Sequence, residues 1–243
     1  MSKKPLVEIK NFSLDLGGKN IIKDLDLEVF PGEIFALLGA NGSGKTSTIR
    51  SLLNIYPSSR GELAIDGRKY SADMGGSVGY LPEERGLYTR SKVIDTMTYF
   101  GELKGISRTN ARKFSLDYLE KVGLSDKAYL KVKKLSGGQQ QKVQLGVAIM
   151  GDPKLLILDE PTKGLDPVNR VLLIDTIKDL RDSGVAIIYT THLMEEVERI
   201  ADRLAIIRDG ERVAYGSVED VKKEFKADTI EDVFVHLYEG QAA

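Results

Sequence analysis

Residues 39–46, GANGSGKT, follow the apolar run IFALL and open the segment TSTIRSLL. They match G-x-x-x-x-G-K-[ST] in the strand–loop–helix setting that the pattern requires. A chance match in a chain of 243 residues is on the order of one per cent. The glycines let the backbone fold into a nest of inward N–H groups, and the helix N-terminus adds partial positive charge. Gly39, Ala40, Asn41, Gly42, Ser43, Gly44, Lys45, Thr46 and Ser47 are therefore candidate polyphosphate-binding residues. Lys45 supplies a point charge for the β- and γ-phosphates, and the Thr46 hydroxyl is a ligand for Mg²⁺.

A second segment, LLILDEPT at 155–162, complements the first. Four apolar residues form a buried strand, so Asp159 and Glu160 emerge at its C-terminal end, where ligands of open α/β sheets bind. Asp159 is placed to hold Mg²⁺, and Glu160 to polarise the water that attacks the γ-phosphorus. Together the two segments imply a Mg-nucleotide hydrolase or switch.

Around them, alternating apolar residues predict strands over 6–38, with GGKN as a turn. Helical periodicity runs from about 92 to 122, broken near Gly105, with Thr109 as a candidate N-cap. From 155 onward short apolar strands alternate with helices, which predicts an α/β fold with a parallel sheet. Asp166 precedes Pro167 and is well placed to cap the helix that follows. A net charge of −1, from 35 basic and 36 acidic residues, gives no sign of a nucleic-acid partner. The absence of Cys and the two distant histidines, His192 and His236, argue against thiol chemistry and a His-based metal cage. The polar, basic start is not followed by an apolar signal region, and the longest apolar runs fall far short of a membrane span. The expected location is cytosolic or peripheral, with any span supplied by another polypeptide.

The family is narrowed by LSGGQQQKV at 135–143, in which Ser136 caps a helix and Gly137 and Gly138 leave backbone N–H groups unobstructed. This is a second anion-binding terminus in a chain with one phosphate loop. The segment resembles the signature motif of ABC-type ATPases. TKGLD at 162–166 is similar to that family's D-loop, and IIYTTH, ending in His192, to its switch histidine. The motifs stand in the family's order, and the resemblance covers about 6–216.

The resemblance implies a P-loop NTPase core with a parallel sheet, an antiparallel β subdomain and an inserted α-helical subdomain at roughly 88–150. The ATPase domain would span 1–217, with a helical tail at 218–243. It also implies ATP and Mg²⁺ as cofactors and an antiparallel dimer with a second ATPase subunit. In that dimer Ser136, Gly137, Gly138 and Gln139 of one chain would cap the γ-phosphate held by the other, with Asp166 at the dimer seam and His192 at the γ-phosphate. Separate transmembrane permease subunits would be driven from the inner face of the cell membrane. An importer subunit, or an ABC ATPase with no membrane partner, are the alternatives.

Two positions depart from the family pattern. The residue expected to stack on adenine is Leu16, which lacks a π face; Phe12 shares its side of the strand only if the register allows. The family's usual Gln after YLP is Glu83, which offers Mg²⁺ or the attacking water a charged oxygen instead of a neutral one. The form YLPEERGLY resembles a subset of export-type subunits, with Glu84, Arg85 and Tyr88 expected on the face that meets the partner.

Overall fold

The computed structural model describes residues 4–84 and 86–239. The chain divides into two compact units, residues 1–71 with 181–243, and residues 72–180.

In the first unit, β1 (Val7–Leu16) pairs antiparallel with β2 (Lys19–Val29) and with β4 (Arg60–Ile65). The Gly17–Gly18 turn closes the first hairpin, both glycines having positive φ. β3 (Ile34–Leu38) is buried along its whole length and runs parallel to β7 (Ala186–Thr190) on one side and β8 (Arg203–Arg208) on the other. A strand buried on both faces has no solvent side to carry polar residues, which is why IFALL and AIIYT show no apolar–polar alternation. β9 (Glu211–Ser217) pairs antiparallel with β8. α1 (Lys45–Leu52) leaves the end of β3, and α6 (Met194–Ile200) follows β7.

The C-terminal segment, expected to be helical from 218, forms two helices, α7 (Val218–Phe225) and α8 (Ile230–Glu239). Lys226 is left-handed, with φ 52°, and ends the first. Val221, Ile230 and Val233 are buried with Ala36, Leu38, Leu204 and Ile206. The second helix is thereby packed against the two strands that flank the phosphate loop. Burying each such aliphatic side chain contributes about 1.5–3 kcal/mol.

In the second unit, β5 (Val78–Leu81) and β6 (Leu155–Asp159) are parallel. α2 (Val93–Leu103), α3 (Arg108–Lys121) and α4 (Gly137–Ile149) bury Val93, Met97, Ala111, Leu119 and Val143 in a core of their own. The expected break near Gly105 is present, but Ser107 caps α3 instead of Thr109: its Oγ accepts the Asn110 N–H at 3.3 Å. Ser107 lies three residues before the N–H it accepts, whereas Thr109 is already inside the first turn. Lys104 Nζ donates to the carbonyls of Val147, Ala148 and Met150 at 2.7–2.9 Å, satisfying orphan acceptors at the end of α4. Helix α5 (Pro167–Asp182) follows β6.

Candidate nucleotide site

The phosphate loop lies between β3 and α1, and its glycines are required by geometry. Gly39 has φ 153°, and a Cβ there would sit 2.3 Å from the Ile207 carbonyl oxygen. Gly44 is left-handed with φ 113°, and its Cβ would meet the Ile22 side chain at 2.3 Å. No side chain caps α1. The Ser43 hydroxyl is buried without a hydrogen-bond partner, an uncommon feature that marks a place for a ligand. Lys45, 7% exposed, donates through Nζ to the carbonyls of Gly39 and Ala40 at 2.8 and 3.2 Å. This cradle of glycines, buried hydroxyl and lysine fits a polyphosphate. Thr46 and Ser47 are half-buried on the first turn, and Ala40 is half-buried between exposed Asn41 and Gly42 and buried Gly39.

Leu16 is half-buried at the end of β1, and the contact between Gly44 and Ile21–Ile22 sets the β1–β2 hairpin beside the loop. Phe12 is fully buried; it belongs to the core and offers no face to a base.

His192 is exposed just beyond β7. Beneath its segment lies the carboxylate of Glu196, 4% exposed, which accepts hydrogen bonds from Tyr189 Oη at 2.6 Å and Thr191 Oγ1 at 3.2 Å. Thr191 Oγ1 in turn accepts the Leu193 N–H at 3.0 Å. This network, which sequence reasoning missed, fixes the turn that carries His192. Its trace in the sequence is an acidic residue, Glu196, on the buried side of the short helix that follows the strand. His236, on α8, is exposed.

The second unit assembles four motifs around α4. Ser136 caps α4 in a full capping box: its Oγ accepts the Gln139 N–H at 3.3 Å, and Gln139 Oε1 accepts the Ser136 N–H at 2.9 Å. Gly137 and Gly138 form the first turn, and Gly138 packs beside Leu165 and Asn169. Asp166 caps α5 as expected, accepting from the Asn169 N–H at 3.0 Å and the Asn169 amide at 2.6 Å. These bonds, led by the backbone one, hold its carboxyl below the usual range. Two buried glutamines, Gln141 and Gln144, pin loops from inside α4. Gln141 Nε2 donates to the Pro161 carbonyl at 2.7 Å, and Gln144 Nε2 to the Pro82 carbonyl at 3.2 Å. Neither was anticipated; the available signal was two glutamines, Gln141 and Gln144, three residues apart on one face of a core-facing helix.

Asp159 ends β6 and Glu160 follows it directly, 1% and 8% exposed. Glu160 is left-handed, with φ 50°; holding a non-glycine residue there costs of order 1–3 kcal/mol, and such strain clusters at functional sites. Glu83 is exposed and forms an ion pair with Lys163, Oε1 to Nζ at 2.6 Å. The hydrogen bond and then the charge of Glu83 raise the Lys163 pKa. Its neighbours Glu84 and Tyr88 are exposed, while Arg85 lies outside the described residues. Among the described residues there is no cluster of three or more His, Cys, Asp or Glu able to cage a metal alone. The Thr46 hydroxyl in the first unit and the Asp159 carboxylate in the second are each a hard oxygen donor of the type Mg²⁺ prefers.

A phosphate loop after a buried parallel strand, a strained carboxylate after another and a glycine-headed helix define a P-loop nucleotide hydrolase. The family model described as "ABC transporter" matches residues 22–163, and the chain belongs to that family. It is 43% identical, over 90% of this chain and 80% of the relative, to an uncharacterized ABC transporter ATP-binding protein of Methanocaldococcus jannaschii. It is 36% identical to Nod factor export ATP-binding protein I of Cupriavidus metallidurans, over 93% of this chain and 76% of that protein. The solved structure titled "Structure of ATP binding subunit of ABC transporter" superposes with TM-score 0.88, at 26% identity, covering 96% of this chain and 99% of that one. The chain is thus an ATP-binding subunit of the ABC transporter class and an ATPase. None of its described helices is long and apolar enough to cross a membrane.

Proposed function

We propose that this subunit powers export: ATP joins two such chains in an antiparallel sandwich, and hydrolysis reopens it, moving separate transmembrane subunits at the inner membrane face. The export role in the name of the Cupriavidus relative and the form YLPEERGLY support the direction. In this reading residues 1–217 are the ATPase domain, with a helical subdomain at about 88–150 and a tail at 218–243.

The observation that carries the catalytic assignment is Glu160, a buried carboxylate held in a left-handed conformation at a strand end. Glu160 accepts the proton of the attacking water. Lys45 and the N–H groups of 39–47 hold the phosphates. Thr46 and Asp159 hold Mg²⁺, which when bound neutralises charge developing on the transferred phosphoryl group. Glu83, whose Oε1 is paired with Lys163, would offer its carboxylate to the metal or to the attacking water. His192 hydrogen-bonds the γ-phosphate, and Leu16 packs on the adenine. Ser136, Gly137, Gly138 and Gln139, with Asp166 at the seam, close the site of the partner chain.

Glu160→Gln keeps the shape but removes the base. Nucleotide binding should persist, turnover should fall by about 10²–10⁴-fold, and ATP should trap a dimer visible by light scattering. A variant that stays monomeric at saturating ATP and still hydrolyses it refutes the shared-site mechanism.

A further inference from the structure

Helix α8 is anchored at both ends to elements that serve the nucleotide site. At its start Thr229 and Asp232 cap each other: the Asp232 N–H donates to Thr229 Oγ1 at 3.0 Å, and the Thr229 N–H to Asp232 Oδ2 at 3.1 Å. The Ile230 N–H is left over, and it donates to Glu198 Oε1 of α6 at 2.6 Å. A carboxylate there also meets the positive end of the helix. At the other end the Leu237 carbonyl accepts from Arg208 of β8, and Tyr238 Oη accepts the Ala40 N–H of the phosphate loop at 3.2 Å. Phe234, one turn earlier, stacks on the Tyr238 ring with centroids 4.3 Å apart and holds it in place. Between the two ends Ile230 and Val233 are buried with Val197 of α6, Leu204 and Ile206 of β8 and Leu38 of β3.

Both anchoring points carry weight for the chemistry. The Ala40 N–H and the Gly39 carbonyl belong to one planar peptide group, so a bond to either orients both. Lys45 Nζ donates to that carbonyl at 2.8 Å. Tyr238 therefore holds one side of the peptide on which the phosphate-binding lysine rests. At the opposite end, α6 contributes Glu196, whose carboxylate bonds Tyr189 and Thr191 and fixes the His192 turn. Ten helical residues make a strut about 15 Å long. Resting on the nucleotide reading above, we propose that α8 is a brace between the phosphate loop and the His192 turn, with Tyr238 and Glu198 as positioning residues. Tyr238 presets the Gly39–Ala40 peptide for Lys45 and the phosphates. Glu198 fixes the far end, so a shift of the loop is felt at α6, and a shift of α6 at the loop. Such coupling is reciprocal.

The test uses the full chain, amide hydrogen exchange and titration with N-methylanthraniloyl-ATP. Glu198→Ala removes the anchor remote from the nucleotide. It should speed exchange of the Ala40 amide by about tenfold and weaken nucleotide binding several-fold, the scale of one hydrogen bond. Tyr238→Phe tests the reverse direction: the Leu193 amide, held by Thr191 Oγ1 at 3.0 Å, should exchange several-fold faster. Glu198→Gln keeps an oxygen acceptor for the Ile230 N–H and should recover the parental exchange and affinity. The double variant Glu198→Ala, Tyr238→Phe should bind nucleotide no more weakly than Tyr238→Phe alone, because a brace freed at one end transmits nothing from the other. Ser217→Ala is the control for lost stability. It deletes the Oγ that accepts the Asp220 N–H at 3.1 Å and caps α7. It should lower the melting temperature by a few degrees and leave both readouts at parental values. Unchanged Ala40 exchange in Glu198→Ala, losses that multiply in the double variant, or an equal loss in Ser217→Ala overturns the proposal. Exchange is read without nucleotide, so the two readings separate. A chain whose amides are coupled but which binds no nucleotide loses the nucleotide reading, and one that binds nucleotide without the coupling loses only the brace.

Discussion

Helices α1 and α4 both have a glycine at or just before their first residue, yet their N-termini are built differently. The terminus of α1 has no side-chain cap, a left-handed Gly44, a buried unpartnered Ser43 hydroxyl and a lysine folded over the loop. The terminus of α4 is closed by its own capping box. A helix end that leaves its capping to a ligand gains most when the ligand arrives. An end that caps itself is stable alone, and adds to binding only through the Ser136 hydroxyl proton and the N–H groups of Gly137 and Gly138. The first is suited to hold a nucleotide within one chain, the second to meet one presented from outside.

Lys45→Ala is expected to have the largest effect on this contrast. It removes the cation at the uncapped end, so ATP affinity should drop by about 100-fold, as for loss of a charge-assisted contact. Titration with a fluorescent nucleotide measures it, and near-parental affinity would show that the backbone nest suffices. Ser136→Ala is next. It should leave ATP binding by a single chain unchanged, cut dimer-dependent hydrolysis at least tenfold, and cost about 1 kcal/mol of stability, a few degrees of melting temperature. Weakened binding to the monomer instead would place α4 in the chain's own site and erase the distinction.

A smaller effect is expected from the tail. Tyr238 Oη accepts the Ala40 N–H at 3.2 Å, and Arg208 donates to the Leu237 carbonyl beside it. Tyr238→Phe keeps the ring and loses the acceptor, which should weaken ATP binding several-fold, in line with one hydrogen bond of about 1 kcal/mol. Unchanged affinity would make α8 simply a cover for Leu38 and Ile206. The smallest effect belongs to Glu83→Gln. It should shift the Mg²⁺ dependence of hydrolysis, and an identical Mg²⁺ titration would reduce Glu83 to the surface partner of Lys163.

The phosphate loop, the buried strands and the cap at Asp166 were legible because each depends on neighbours within a few residues. Gly39 and Gly44 are needed for φ and close approach, and Pro167 follows its cap directly. The exclusion of Phe12 from the base site was not legible, since its burial depends on β2 and β4 pairing with β1 and the register shifts between them. The same holds for Ser107 displacing Thr109 as a cap, a matter of one turn of helix phase.

The sequence by itself determined the local chemistry: a glycine-rich phosphate-loop motif, paired carboxylates after a buried strand and a second helix headed by glycines behind a Ser cap. These are local, being short-range consequences of residue type and spacing. Only the tertiary structure decided which distant residues serve them. Gln141 and Gln144 anchor the loops beside Glu160 and Glu83, Glu196 underlies His192, and Tyr238 returns to the loop some 200 residues upstream. Such pairings are fixed by packing between elements far apart in sequence, and no period or motif encodes them.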